Sequence, residues 1–449
     1  VKTSLSDNNP YDAEKNDIAA QTNMLKKGDQ TMRNIFKLTV VLVVLACVMA
    51  YPYEARTEEL KIGVILPLSG LMAHEGQESL SGIELATETL NAKGGLLGKK
   101  VKLIISDAPD AKAGAGEAEK LITQENIKLI LGTFSSGICY SASEVANRYK
   151  VPYFEVAAGI ADTLTERGLK YFWRITPRAS NYAQVVSEYT KEVTAPKLGI
   201  PPNKLRIAIA YEDGPYGTQT VKDLDRIMPT FGLTNIVAKE AYSAKGVDLS
   251  SMLLKIQAAK PDLFLSISYA PDAILIGRQA KELNFNPKAW QGFGGGWGSP
   301  SLYEALKNDL NGIFSTEFAP VHINKAVVPG AEDFHKRFKE KYNRPLESSI
   351  PQTSCMAATV VFDIIKRARS LDPEDIAKAA WKTDIPIWTT INGWGVKFNG
   401  PDQPHPGQNS RAFMYNTQWK NGEHRVVWPL KAKYADPVYP LPSWKERVK

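Results

Sequence analysis

The chain has 449 residues, a formal net charge of +7, 43% hydrophobic and 23% charged residues. That length exceeds one ordinary core, so two or more lobes are expected, and the composition is that of a globular protein. With a modest charge and no dense Lys/Arg block interleaved with aromatics, nucleic acid is not expected as a partner.

In chain order, residues 1–31 are polar, lack apolar periodicity and read as a non-native N-terminal extension. Residues 32–50 (MRNIFKLTVVLVVLACVMA) have a positive start at Arg33 and Lys37, a short apolar core over Leu38–Met49, and small side chains at Val48 and Ala50. This pattern predicts a signal peptide cleaved after Ala50, too short for a comfortable bilayer span. An alternative takes Cys47, after Val44-Leu45-Ala46, as an acylated cysteine that anchors the protein to a membrane. Cleavage after Ala50 would discard it.

Beyond residue 59 strand and helix patterns alternate. Lys61–Leu66 is a short apolar run closed by Pro67, Ser69 and Gly70; Gln77–Ala92 carries Leu80, Ile83, Ala86 and Leu90 at spacings of three and four; Val101–Ser106 is a second strand. This is a βαβ unit, with a polar loop at the carboxyl end of its first strand, where open α/β sheets bind ligands. The series then repeats. KIGVILPLSG at Lys61–Gly70 and LRIAIAYEDG at Leu205–Gly214 each begin one, and each is followed some distance on by a strand and polar loop, at Leu129–Gly137 and Leu263–Ala273. The fold class predicted is α/β, with two similar Rossmann-like lobes: residues 59–177 plus about 313–385, and residues 178–312 plus about 386–428. A chain that returns to its first lobe crosses several times, and several crossings make a hinge. Asn311–Phe318 and Trp394–Asn399 read as later strands. Asn421-Gly422 between Ala412–Trp419 and His424–Trp428 reads as a hairpin turn. Residues 429–449 read as a C-terminal strap. Cys139 and Cys355 sit in apolar helical contexts, as buried thiols or as a disulfide; spacing does not decide between them.

Catalytic motifs are missing. There is no GxSxG elbow and no GxxxxGK(S/T) loop, Gly292–Gly298 is not GxGxxG, HEGQE at His74–Glu78 lacks a second His, and five His residues are scattered. No enzyme activity, metal or cofactor is expected.

KIGVILPLSG, GIELATETLNAKGGLLGKKVKLIISDAPD, LGTFSSG and IAIAYEDGPYG, in that order, resemble the leucine/isoleucine/valine-type periplasmic binding proteins of ABC transporters over roughly residues 59–428. The resemblance implies the type I periplasmic binding fold: two lobes, three crossover segments and one small ligand clamped between them. It also implies delivery to the transmembrane subunits of an ABC permease, a monomer, and a periplasmic or other extracytoplasmic location. The rival is a sensory receptor component of the same fold. The first-lobe ligand loop resembles Gly132–Gly137, where Ser135, with Ser136 beside it, would meet a ligand carboxylate through hydroxyl and amide. In Glu155–Ile160 the Ala157 carbonyl and the Gly159 amide would take part, and Tyr216 and Tyr269 would close over the ligand from the second lobe. Glu75 would touch the ligand side chain or else simply begin a solvated helix. At Gln291–Gly298 (QGFGGGWG) the resemblance breaks down: amino-acid binders often place a Glu in this region, whereas here there are glycines and Trp297. Burying an ammonium without a carboxylate costs several kcal/mol by order of magnitude. Unless Glu75 or Glu155 substitutes, the expectation is an aromatic-lined site for a carboxylate lacking the amino group.

Overall fold

The structure is a computed structural model and describes residues 10–50 and 59–448. The chain forms two compact units, residues 1–57 and residues 58–449. The first contains the helix Pro10–Ala50, which runs through both the polar segment and the apolar stretch after it. No helix among the described residues is long and apolar enough to cross a membrane.

The second unit is built on two sheets. β1 (Leu60–Leu66), β2 (Val101–Asp107), β3 (Ile130–Gly132), β4 (Tyr153–Glu155) and β5 (Phe172–Arg174) form a parallel sheet ordered β2-β1-β3-β4-β5. The central strand is apolar along most of its length: Ile62, Val64, Ile65 and Leu66 of β1 are all fully buried, as expected where helices cover both faces. β6 (Ile207–Glu212), β7 (Ile236–Tyr242), β8 (Leu263–Ile267), β9 (Ala289–Phe293), β10 (Phe314–Glu317), β11 (Tyr415–Lys420) and β12 (Glu423–Trp428) form the second sheet, ordered β12-β11-β10-β9-β8-β6-β7. It is parallel from β7 to β10 and antiparallel at β11 and β12, which flank the Asn421-Gly422 turn.

Two expected boundaries are corrected. Phe314, Ser315 and Thr316 pair with Gln291, Gly292 and Phe293 of β9, so residues 313–317 belong to the second lobe. Trp394–Asn399 is not a strand: Val396 and Phe398 make only isolated bridges, to Ile385 and Asn409, and Gln408 bridges Arg174 of β5, so this stretch borders the first lobe. The chain therefore passes between lobes between β5 and β6, after β10, and again before β11.

The return to the first lobe is held by close packing. The helix Ile350–Ala368 lies against the helix Ala73–Ala92, and a Cβ on Gly82 would come 2.1 Å from the Pro351 carbonyl oxygen, so only glycine allows this approach. Arg337 and Lys341 of the helix Ala331–Tyr342 reach Thr89 and Glu88 of the helix Ala73–Ala92. Cys139 and Cys355 are free, buried thiols. Residues 429–448 lie along the second lobe, where Trp444 meets Trp290 edge to face and Arg447 donates to the Asp309 carbonyl.

Candidate ligand cleft

The loops that follow β3 and β4 are tied together by one buried side chain. Glu155, the last residue of β4, accepts from the amides of Thr133, Ala157 (3.0 Å) and Ala158 (3.1 Å) and from the Thr133 hydroxyl (3.2 Å). Burial pushes its carboxyl up to about 8 against the opposing pull of these donors. Glu155 is thus a scaffold between the two loops, with both of its oxygens engaged by loop donors.

Ser135 immediately precedes the helix Ser136–Arg148, whose first turn is closed by the bond from the Cys139 amide to the Ser135 carbonyl. Amides that begin a helix have no partner within it, and with the helix dipole they favour an anion. The Ser136 hydroxyl is already engaged, accepting from the Ala161 amide at 3.1 Å. Gly159 does not offer its amide to the cleft as expected. It sits in the left-handed region at φ +24°, donates to the Phe134 carbonyl at 2.9 Å, and its own carbonyl takes Arg174 at 2.8 Å. Ala157 is fully buried with its amide on Glu155, and it is Ala158 that lines the cleft.

Tyr216 and Tyr269 approach from the second lobe. Each stands at the start of a helix, Pro215–Ile227 and Ala270–Glu282, their rings 5.2 Å apart and inclined at 49°. The buried Tyr216 hydroxyl has no hydrogen-bond partner, and both rings border a cavity of about 20 Å³ together with Phe134, Ser136, Ala158 and Gly295. A second cavity of about 20 Å³ shares Phe134, Ala158, Tyr182 and Gly295 with the first and continues to Ser299, Glu317 and Ser349. Four of the expected residues, Ser135, Ser136, Tyr216 and Tyr269, therefore gather at one seam between the lobes. Burial pushes the Tyr269 phenol well above its ordinary range, with the nearby Ser135 pulling the other way.

Glu75 lies in the first turn of Ala73–Ala92, buried rather than solvated. It accepts from Ser299 of the second lobe at 3.3 Å, and burial raises its carboxyl above the ordinary range. Trp297 is not part of the cleft wall. Its ring is fully buried in the second-lobe core, 5.1 Å from Trp290, with Nε1 donating to Ser266 (3.1 Å) and Ser268 (3.3 Å). The four-residue helix Gly294–Trp297 turns it inward over Gly292, where a Cβ would come 2.2 Å from the indole.

Glu317 was not foreseen. It ends β10, is 6% exposed, and accepts from Ser315 at 2.7 Å and Ser349 at 3.3 Å. Its signal in the sequence is an acid closing the apolar run GIFSTE, at the carboxyl end of a strand. Burial pushes its carboxyl up to about 8. A carboxyl raised in the folded state adds stability below its unfolded value near 4.5, and this is lost as pH rises through about 8. We therefore expect wild-type stability to fall between pH 5 and 8 more steeply than that of Glu317→Gln, by about 1 kcal/mol per pH unit. Parallel urea titrations at pH 5, 6, 7 and 8 check this, and equal slopes would contradict it.

Two Rossmann-like lobes, a hinge of three crossings, and loops from both lobes meeting at strand ends define the type I periplasmic binding fold. Ligand-binding proteins of this build close their lobes around what they carry. The chain belongs to the periplasmic binding protein family, whose sequence profile matches residues 59–423. Leu/Ile/Val-binding protein homolog 7 of Brucella suis is 37% identical over 379 residues, 84% of this chain and 93% of that protein. Among solved structures, the branched-chain amino acid transporter substrate-binding protein LivJ of Streptococcus pneumoniae, in complex with isoleucine, is similar at TM-score 0.71 and 20% identity, over 85% of this chain and 100% of that one. An ABC transporter solute-binding protein of R. palustris in complex with benzoate is similar at TM-score 0.69 and 17% identity, over 84% and 98%. The chain is thus a Leu/Ile/Val-binding-protein-like member of the family.

Proposed function

We propose that this protein is the extracytoplasmic substrate-binding component of an ABC importer of the branched-chain-amino-acid type. In this reading residues 32–50 are its export signal, and it works as a monomer that hands a small carboxylate-bearing ligand to the permease subunits. The observation that carries the proposal is the meeting of the helix start at Ser136 with the Tyr216 and Tyr269 rings on one interlobe cavity. Helix amides and phenols suit a carboxylate, giving charge-assisted hydrogen bonds without a buried counter-charge. Cavities of about 20 Å³ hold about one water each, so a ligand of leucine's size enters by parting of the lobes. Closure follows because such a ligand touches both lobes only when they meet. The relatives and the isoleucine-bound neighbour favour an amino acid; the benzoate-bound neighbour shows that the same fold takes an amino-free acid.

A thermal-shift panel of leucine, valine, phenylalanine, benzoate and short aliphatic acids tests this. A ligand at 100 times its Kd adds about 2.7 kcal/mol, a rise of a few degrees in Tm. Ser135→Ala should weaken the best ligand by about 1–3 kcal/mol in calorimetry. No shift with any small carboxylate, or a Ser135→Ala protein of unchanged affinity, would count against this site.

A further inference from the structure

We propose that Arg174 and Gln408 are positioning residues that tie the loop of residues 158–161 to the hinge, so that a ligand resting on this loop sets the angle between the lobes. This rests on the clamp reading above.

The loop after β4 divides its work between side chains and carbonyls. Ala158 and Ile160 border the inner cavity with Tyr216 and Tyr269. All four carbonyls from 158 to 161 are held instead by the first crossing between the lobes, residues 175–178, and by the residues at its two ends. Ala158 accepts from the Thr176 hydroxyl at 3.2 Å, and Gly159 and Ala161 accept from Arg174 at 2.8 Å each. Ile160 accepts at 2.7 Å from the amide of Ala179, which opens the second-lobe helix Ala179–Tyr189. Displacing this loop therefore pulls on the crossing.

Arg174 joins the same loop to a second crossing. It ends β5, is fully buried, and among the described residues no carboxylate pairs with it; Asp162 nearby is taken by Arg178. Burial lowers its pKa only to about 10, so it stays charged at neutral pH. A buried guanidinium held by neutral oxygens gains little over an apolar side chain. What it brings is a planar fork that fixes several acceptors at once. Nη1 holds the two loop carbonyls, and Nε donates to Gln408 Oε1 at 2.6 Å. Gln408, also buried, donates in turn to the Thr176 carbonyl at 3.1 Å and the Asn409 carbonyl at 2.9 Å, where the third crossing leaves the first lobe. Asn409 Nδ2 donates to the Ile175 carbonyl at 2.9 Å, and backbone bonds of 2.9 Å join Arg174 to Gly407 and Asn409. The two crossings thus run side by side. Gly407 permits this, since a Cβ there would fall 2.2 Å from the Phe172 carbonyl oxygen.

Tied to the loop, the paired crossings take one angle when a ligand orders residues 158–161. Cut loose, they bend independently of it, and the lobes part over a bound ligand more often. The signature is faster release with unchanged capture, because encounter happens at the open cleft.

The test uses the full chain and whichever of L-leucine and benzoate gives the larger thermal shift. It compares Arg174→Lys, which keeps the charge but not the fork, with Gln408→Ala, and takes Trp297→Phe as a destabilised protein whose hinge network is intact. In stopped flow, Arg174→Lys and Gln408→Ala should release ligand about tenfold faster or more, with association within about threefold of wild type. Small-angle scattering should show that both contract less than wild type when ligand is added. The double variant should be no worse than the worse single, as for residues that act in series. Trp297→Phe should release and contract like wild type. Thr176→Val removes one loop bond with little change of shape and should speed release about three- to tenfold, so it carries the test if a variant at Arg174 or Gln408 fails to fold. Release and contraction equal to wild type in the folded variants, or the same acceleration in Trp297→Phe, would reduce the network to packing and overturn the proposal while keeping the clamp. A wild-type protein that binds neither ligand, or binds one without contracting, would overturn the clamp reading and this proposal with it.

Discussion

Trp297→Ala is expected to lower the unfolding free energy by about 3–5 kcal/mol, the range for emptying a buried tryptophan site. The ring is fully buried, its Nε1 is held by Ser266 and Ser268 at the end of β8, and it packs on Trp290. Its carbonyl accepts from Trp419 Nε1 at 2.8 Å, so the residue also ties β11 to the end of β9. Relaxation would not refill the space, because Gly292 beneath the ring has no side chain to move in. Trp297→Phe should cost roughly half as much, retaining most apolar contact and losing the indole hydrogen bond. Urea unfolding followed by circular dichroism gives both numbers. The ranking of ligands should survive in the folded fraction of either variant, since the ring does not border the cleft. A Trp297→Ala protein within 1 kcal/mol of wild type that had lost its ligand would return Trp297 to the binding wall.

That the sequence reading misplaced Trp297 and overlooked Glu317 shows what pattern can and cannot convey. The first βαβ unit was legible because β1 is buried on both faces and writes an unbroken apolar run, while the helix after it has one apolar face. The loop at Ser135–Ser136 was legible for a related reason: a strand ending in small polar residues before a helix exposes amides at a strand end. Trp297 lies in a four-residue helix after three glycines, too short for any periodicity to tell inward from outward. Glu317 was written into a recognised strand-like run. Its role, however, depends on β10 lying beside β9 and on Ser349 reaching over from the other lobe, and both are contacts between distant parts of the chain. Gly159 failed similarly: its sequence position allows a free amide, but a turn delivers that amide to Phe134. Periodicity reports which face of an element is buried; it carries nothing about which element arrives to cover it.

Glu155→Ala should cost roughly 3–5 kcal/mol and also abolish tight ligand binding, although the carboxylate does not line the cleft. The substitution strips the amides of Thr133, Ala157 and Ala158 of a shared acceptor, and each buried donor left without one costs about 1–3 kcal/mol. The Ala158 amide keeps a long contact of 3.5 Å to the Thr133 carbonyl, so the loss is less than threefold additive. Ala158 borders both inner cavities, and Thr133 lies two residues before Ser135, so loosening this knot displaces the carboxylate end of the seam. Arg174 holds the same loop from the far side through the carbonyls of Gly159 and Ala161, at 2.8 Å each, which confines the damage to the Thr133–Ala158 stretch. Glu155→Gln should fall between: its one carbonyl oxygen can serve Ala157 and Ala158, but its NH2 then faces the Thr133 amide, donor to donor. Hydrogen exchange at these three amides, read beside the melting temperature, separates the outcomes. Fast exchange there with slow exchange retained in β1 is the pattern expected of a local knot undone. Unchanged protection at Thr133, Ala157 and Ala158 would mean that water replaces the carboxylate without loss and that the two loops hold their shape without it.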